Sequence, residues 1–325
     1  MKPNLFDFAT KELSQDAFLL WLISWAHPLC TEDTELHVAA IRFIKFLVGK
    51  SGRKCPDIEK LNVYKQWEKI DVSFTVNDQL YVIIEDKTSS GTHGKQLEEY
   101  KRKATRWCGD NGYELICIYF KTGNESASSI TENVSRYGYS VVTRLEILDI
   151  LSSCATKNDI FTDYLAKLRK DDDETRSFSS LPAAQWTYKA WEGFYIFLEQ
   201  HIEGCEWNYV SNPSGGFVGL HWMWEEMSDC SLYLQIEQGK LCVKIGEIDG
   251  DRTSVRERWH GIIMKKAMES GLTYIRRPCR FGNGNYMTIA VTAIDDYLGI
   301  SVPDFGKTLS ILHRHEDLVR SCRGL

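Results

Sequence analysis

The spacing of apolar residues changes period several times along the first 170 positions, and each change predicts an element. Between Lys11 and Ala26 apolar residues fall on nearly all sides of a helix, with Phe18 to Ile23 unbroken. That helix is therefore expected to be buried, capped by Thr10 and stopped by His27-Pro28. From Thr34 to Val48, Leu36, Ala39, Ala40, Phe43, Ile44 and Leu47 keep helical spacing up to Gly49. Leu61–Trp67 reads as a first strand. Val72, Phe74 and Val76 then alternate with polar residues, as in a half-buried strand, and Asn77-Asp78 is a turn pair. Leu80 to Ile84 is a continuous run of β-formers, fit for a buried central strand. A helix over Lys95–Trp107, a strand over Tyr113–Phe120, a helix over Ala127–Tyr137 and a strand over Tyr139–Val142 follow. Helices near Arg144–Ser153 and Asp159–Lys170 close the series. The alternation of strands and helices makes this part α/β.

Residues 171–180, DDDETRSFSS, break the pattern with charge and serine and predict a linker over 171–182. The expected organisation is one domain over 1–170 and a second over 183–325. The second has a different texture and holds six of the ten tryptophans. Ala183–His201 reads as a helix, and Trp207–Val210, Phe217–Glu225, Ser231–Glu237 and Lys240–Ile245 as an antiparallel meander. A helix over Val255–Ser270 and strands near Thr273–Arg277 and Tyr286–Val291 complete an α+β domain, of recognition or regulatory role.

Composition changes this picture little. No apolar run approaches the ~18 residues of a membrane span, and the N-terminus lacks the apolar core of a signal peptide. A cytoplasmic setting with reduced thiols is the expectation. The ten cysteines show no CxxC spacing, which argues against a zinc site. The net charge of −6 lies entirely beyond residue 170, because the first 170 residues are balanced. A local basic patch for nucleic acid remains compatible with that total.

Chemistry concentrates between Ile70 and Tyr100. Glu85, Asp86 and Lys87 close the buried strand, where an unpaired charge is costly. Strand parity sends Glu85 and Lys87 to one face and Asp86 to the other. Antiparallel pairing through the Asn77-Asp78 turn brings Asp71 near Glu85 and Lys87. Two carboxylates and an ammonium at a sheet edge suit Mg²⁺ or Mn²⁺ and metal-assisted phosphodiester hydrolysis. An ordinary hairpin ending in a surface salt bridge is the competing reading, and it leaves the apolar strand before Glu85 unexplained.

Asp71, Glu85-Asp86-Lys87 and Gln96-Leu97-x-x-Tyr100 together resemble the PD-(D/E)XK nuclease superfamily, in its bacterial branch with an IDV…IEDKT…H..QLE.Y core. Ile70 stands where the motif's name has Pro. The resemblance implies a restriction-endonuclease-like mixed sheet flanked by helices, and a Mg²⁺- or Mn²⁺-dependent phosphodiesterase. It also implies DNA ahead of RNA as substrate, in a prokaryotic defence or genome-maintenance setting. Asp71 and Glu85 would hold the metal, with the Asp86 carbonyl and Glu12 of the first helix. Lys87 would position the attacking water, and Gln96 would support Lys87 or the backbone phosphate.

The start of the helix after Lys87 can hold a phosphate, which makes His93, Lys95, Lys101 and Arg102 candidate nucleic-acid contacts, with Tyr100 of the motif. Glu35 is a second candidate acid, and Gln66 a polar position that can face the site. The basic stretch 252–280, with Trp259, His260 and Tyr274, is a second candidate strand-binding patch. His37 reads as a solvated helix residue and His313-x-His315 as inert. Two other functions compete with the nuclease: a nuclease fold that binds without cutting, and a protein–protein adaptor working through the Trp-rich half. The resemblance also admits a homo-oligomer, since many such nucleases pair to cut both strands, although the sequence shows no dimer face.

Overall fold

A computed structural model describes residues 3–88, 94–212 and 215–324. The chain divides into two compact units at Asp173/Glu174.

In the first unit, α1 (Glu12–Ser24) and α2 (Thr34–Lys50) precede a β-hairpin pair, β1 (Leu61–Trp67), β2 (Ile70–Val76) and β3 (Leu80–Lys87). Then come α3 (Gly94–Asn111), β4 (Glu114–Lys121), α4 (Ala127–Asn133), β5 (Ser140–Thr143), α5 (Arg144–Ser152) and α6 (Asp159–Arg176). The strands form one mixed sheet in the order β1-β2-β3-β4-β5. β1, β2 and β3 are antiparallel neighbours, whereas β3-β4 and β4-β5 are parallel. Parallel strands need a crossover, which α3 and α4 supply. The first unit is thus α/β, as the periodicity predicts, and its mixed sheet flanked by helices is the one that the resemblance implies.

The sheet's two faces follow strand parity. Val72, Phe74, Val82 and Ile84 join the apolar residues of α1 and α2 in one core. Tyr81, Ile83, Cys117 and Tyr119 join Leu97, Tyr100, Ala104 and Cys108 of α3 in the other. The α3 residues recur at intervals of three and four, so one stripe of the helix lies on the sheet.

The turn between β2 and β3 carries Asn77 and Asp78 with φ of 53° and 52°. That left-handed region tolerates Asn and Asp better than most residues. The Asn77 side chain anchors it, with Oδ1 accepting from the Glu59 and Lys60 amides at 2.9 Å each and Nδ2 donating to the Asp57 carbonyl at 2.6 Å. Val76 pairs with Leu80 and Val72 with Ile84.

Some boundaries move. The cap of α1 is Lys11 rather than Thr10, and its side chain makes no capping bond. Residues 171–176, expected as irregular linker, are the last turns of α6, because helix-compatible Asp, Glu and Thr prolong it.

The second unit holds α7 (Tyr188–Glu199), β6 (Glu206–Val210), β7 (Phe217–Glu226), β8 (Ser231–Glu237) and β9 (Lys240–Gly246). α8 (Arg252–Glu269), β10 (Met287–Ala293), α9 (Ile294–Tyr297) and α10 (Phe305–Arg320) complete it. Its sheet is antiparallel throughout, in the order β10-β9-β8-β7-β6. Alternate residues such as Leu220, Trp222, Leu234 and Val243 form one core with α7, α8 and α10. Thr273–Arg277, expected as a strand, contributes only the bridge Arg276↔Val291. Pro278 just beyond it has no amide to continue a ladder. Ala183–Gln185 is a short 3-10 turn, and the helix starts only at Tyr188, where Thr187 caps it. The pattern at 305–320, read as no element, is α10. Among the described residues no helix is long and apolar enough to cross a membrane.

Candidate active site

The carboxyl ends of parallel strands in open α/β sheets are where ligands bind, because loops diverge there and leave a crevice. β3 and β4 end side by side, with Lys87 in register with Lys121. Glu85 is 1% exposed and Lys87 7%. Both lie toward α3, as parity requires. The Lys87 ammonium sits 2.7 Å from Glu85 Oε1 and 3.9 Å from Glu12 Oε2, and donates to the Asp86 carbonyl at 3.1 Å. Glu12 reaches the strand end from the first turn of α1, where its Oε1 accepts from the Thr88 amide at 3.3 Å.

Asp71 comes in from β2. The pairing of Val72 with Ile84, continued one residue, sets it opposite Glu85. Its Oδ2 accepts from the Asp86 amide at 3.3 Å. Gln96 of α3 donates to Glu85 Oε1 at 2.9 Å and to Tyr100 Oη at 3.1 Å. The glutamine therefore orients Glu85; a contact to Lys87 is not among its bonds here. Tyr100, expected at nucleic acid, is buried behind Gln96 in the α3 core. Glu85 Oε2 is buried with no hydrogen-bond partner in the structure.

Asp86 points the other way, toward α1. Its Oδ1 accepts from Gln15 Nε2 at 2.5 Å, and its carboxyl faces that of Asp16 at hydrogen-bonding range. Gln15 Oε1 in turn accepts from Thr122 and Tyr164 hydroxyls at 2.9 and 3.1 Å. Gln15 and Asp16 are site residues that sequence reasoning missed. They lie three and four positions after Glu12, so the three share one face of α1. That polar stripe at the start of an otherwise apolar helix is the signal that could have found them. Beside Lys87, the buried Lys121 pairs with Glu125 at 3.5 Å, and Glu125 also accepts from Tyr119 Oη at 2.7 Å. A lysine closing an apolar strand is the same sequence feature as Lys87, and it too went unread.

Five carboxylates around one central ammonium strain the charge balance. Burial, then repulsion from Asp71, pushes Glu85 up to about 7 despite the attraction of Lys87. Burial and repulsion from Asp71 take Asp16 up to about 6. Asp86 is raised well above the carboxylate range, chiefly by burial, and Asp71 is raised for the same reason. Burial lowers Lys87, but Glu85, Glu12 and Asp71 outweigh it and hold the ammonium charged. Excess negative charge and an unpartnered carboxylate oxygen fit a hard divalent cation. Among the described residues no three His, Cys, Asp or Glu side chains stand ready as a ligand shell. Lys87 instead holds Glu85 Oε1 and the Asp86 carbonyl, two of the acceptors a cation would use.

The remaining candidates fall outside this cluster. Lys95 and Arg102 are exposed on α3. Lys101 is a tether, donating to the Tyr137 carbonyl at 2.8 Å. His93 lies outside the described residues. Glu35 is exposed beside Arg42 and Ser153, and Gln66 is exposed with φ of 49° in the β1-β2 hairpin. His37 binds the Trp25 carbonyl at 2.7 Å. His315 is fully buried against Thr292 and the Ile311 carbonyl. Trp259, expected at a binding patch, is fully buried in the core of the second unit.

A mixed sheet flanked by helices, with a lysine and acidic residues gathered where its parallel strands end, defines an α/β fold with a charged crevice at the strand ends. The family model of the PD-(D/E)XK nuclease superfamily matches residues 3–180, and the chain belongs to that superfamily. Its members are generally nucleases and usually use divalent metals such as Mg²⁺ or Mn²⁺. No curated protein and no solved structure matches the chain.

Proposed function

We propose that the chain is a metal-dependent nuclease that hydrolyses phosphodiester bonds, with DNA as the first substrate to test. The observation that carries this reading is the Lys87 ammonium held between Glu85 and Glu12 beside a buried carboxylate oxygen with no partner. Asp71, Glu85 and the Asp86 carbonyl would hold the cation, and Glu12 stands close enough to join them. When bound, Mg²⁺ or Mn²⁺ would polarise the phosphodiester and ease ionisation of a water.

The chain's own residues do the rest. Lys87 carries a positive charge to where charge develops on the phosphate, and it orients the water. Gln96 keeps Glu85 turned toward the strand end. Gln15 ties Asp86 to α1, which fixes the backbone that presents the Asp86 carbonyl. Buried surroundings strengthen each of these interactions relative to water.

A cleavage assay on plasmid, linear duplex, single-stranded DNA and RNA with Mg²⁺, Mn²⁺ or EDTA tests the reading. Lys87→Ala is expected to keep the fold and to lose about 10²–10³ in rate, the usual cost of a transition-state donor. Near-wild-type cutting by the folded variant would overturn the assignment. A second reading, a fold that binds without cutting, is favoured by the absence of a ready ligand shell among the described residues. It predicts nucleic-acid binding with no cleavage under any divalent ion.

A further inference from the structure

The second unit carries an exposed aromatic group that its own core does not use. Trp222 points into the core, where it is 1% exposed and donates to Glu316 at 2.9 Å. Two residues on, plain alternation would bury Trp224 as well. Instead the β7-β8 register shifts between Trp222 and Glu225, with Met223 left-handed at φ 59°. Such a bulge re-aims the side chain that follows it. Trp224 therefore lands on the opposite face, flat on Tyr233, with centroids 4.0 Å apart and planes 7° from parallel. Tyr286 meets both rings edge-on at 6.3 and 6.2 Å. It lies over Gly246, where a Cβ would run into its ring. Trp224 is 44% exposed and Tyr286 54%. One face of Trp224 rests on Tyr233, which leaves its other face as the exposed surface.

Positive charge gathers along the chain that leads into Tyr286. Asn285, next to Tyr286, accepts from Arg252 at 2.7 Å. On the same loop Phe281 has two guanidiniums against its ring, Arg256 at 4.9 Å and Arg277 at 4.6 Å. Arg256 is already engaged, donating to the Gly282 carbonyl at 2.8 Å and pairing with Glu257 at 3.3 Å. Nearby Arg258 and Arg276 are taken by Asp229 and Asp296, but Arg277 has no acidic partner among the described residues. Glu257 balances Arg256, so Arg277 is the guanidinium on this ring left to meet an external anion.

We propose that Trp224 and Tyr286, backed by the buried Tyr233, form with Arg252 and Arg277 a binding surface for single-stranded nucleic acid. Unpaired bases stack on Trp224, and the backbone phosphates lie along the arginines. A duplex keeps its base faces stacked inside and cannot use the platform. A peptide carries no regular anions to meet Arg252 and Arg277, neither of which has an acidic partner among the described residues. The site reads no base edges, so it takes strands of mixed sequence. The choice of ligand rests on the nuclease reading, and the surface would hold an unpaired strand for the chain that cuts it.

The test is fluorescence anisotropy of the full chain with labelled oligo-dT, oligo-rU and a duplex of equal length. It is run in EDTA, where no cutting occurs, across a salt series. Single strands are expected to bind at least ten-fold tighter than the duplex. Trp224→Ala and Tyr286→Ala each weaken the single strand about ten-fold, and Trp224→Phe restores most of the loss. Arg277→Ala lowers the slope of log affinity against log salt by about one. Tyr286 and Arg277 are exposed, so their variants remain informative should Trp224→Ala fail to fold. Equal binding of duplex and single strand, or affinities indifferent to the aromatic variants and Arg277→Ala, would overturn the proposal. A chain that binds in this way yet cuts nothing refutes the nuclease reading alone. One that cuts while these variants bind like wild type refutes the surface alone.

Discussion

Asp16→Asn should stabilise the protein. Asp16 is buried against Asp86 and repelled by Asp71 and Glu12, and its pKa rises from 3.8 to about 6. At ~1.36 kcal/mol per pH unit, that rise corresponds to about 3 kcal/mol against the folded state once the group is ionised. Asp16 lies within hydrogen-bonding range of Asp86, so the pair can share one proton, and this reduces the figure to about 1–2 kcal/mol. Asparagine keeps the shape, removes the charge and can donate to the Asp86 oxygen that has no partner in the structure. For a unit of this size the melting temperature should rise by about 2–8 °C at pH 7.5 in EDTA. The sign with pH follows from linkage. A carboxyl with a raised folded-state pKa favours folding below 3.8 and loses that contribution as pH rises through about 6. The advantage of the variant should therefore shrink between pH 7.5 and pH 5. Thermal melts of both proteins across that range are the assay. A variant less stable than wild type at pH 7.5, or an advantage that does not change with pH, would refute the charge-crowding account.

Three more outcomes follow from the same geometry. Millimolar Mg²⁺ or Mn²⁺ should raise the melting temperature over EDTA, by about 2.7 kcal/mol of stability at a hundredfold excess over the dissociation constant, and Asp71→Asn should lose most of that response. Gln96→Ala should lower kcat about ten-fold with KM little changed, since it loosens Glu85 rather than removing it; a KM effect alone in steady-state kinetics would contradict this. Burial lowers His315 from 6.5 to about 4, so the unfolded chain takes a proton that the folded chain refuses. Stability should fall by up to about 3 kcal/mol as pH drops from 6.5 to 4, and His315→Gln should flatten that slope in melts of the second unit's transition.

What the sequence discloses here depends on how local the cause is. Glu85 and Lys87 share a face by strand parity alone, and a turn pair at Asn77-Asp78 is enough to bring Asp71 across. The first unit's element order was legible for the same reason, since each change of period marks one element. Asp16 was hidden because α1 reads as apolar on all sides and its polar stripe is only one turn long. Tyr100 and Lys101 were read as contacts for nucleic acid, but tertiary packing gave them Gln96 and the Tyr137 carbonyl as partners. Trp259 and Trp224 show the limit most sharply. Nothing in composition separates them, yet helix packing buries one and a bulge exposes the other.

The turn after β2 also sets a tolerance on chain length. Asp71 lies seven positions before Asp78, and Glu85 seven after it. Asn77 is bolted to the backbone of Asp57, Glu59 and Lys60, so the hairpin cannot easily slide along itself. One residue inserted between the turn and Glu85 would leave the alternating apolar residues to choose between two options. Keeping Val82 and Ile84 in their core sends the extra residue out as a bulge, while slipping by one turns Glu85 and Lys87 toward α1 and Asp86 toward α3. The first option keeps Ile84 opposite Val72 and so keeps Asp71 facing Glu85, while the second parts them. Lengthening is therefore tolerated where the extra residue can leave the ladder as a bulge, and a slip of one position, far smaller than any change that would unfold this unit, can erase its chemistry.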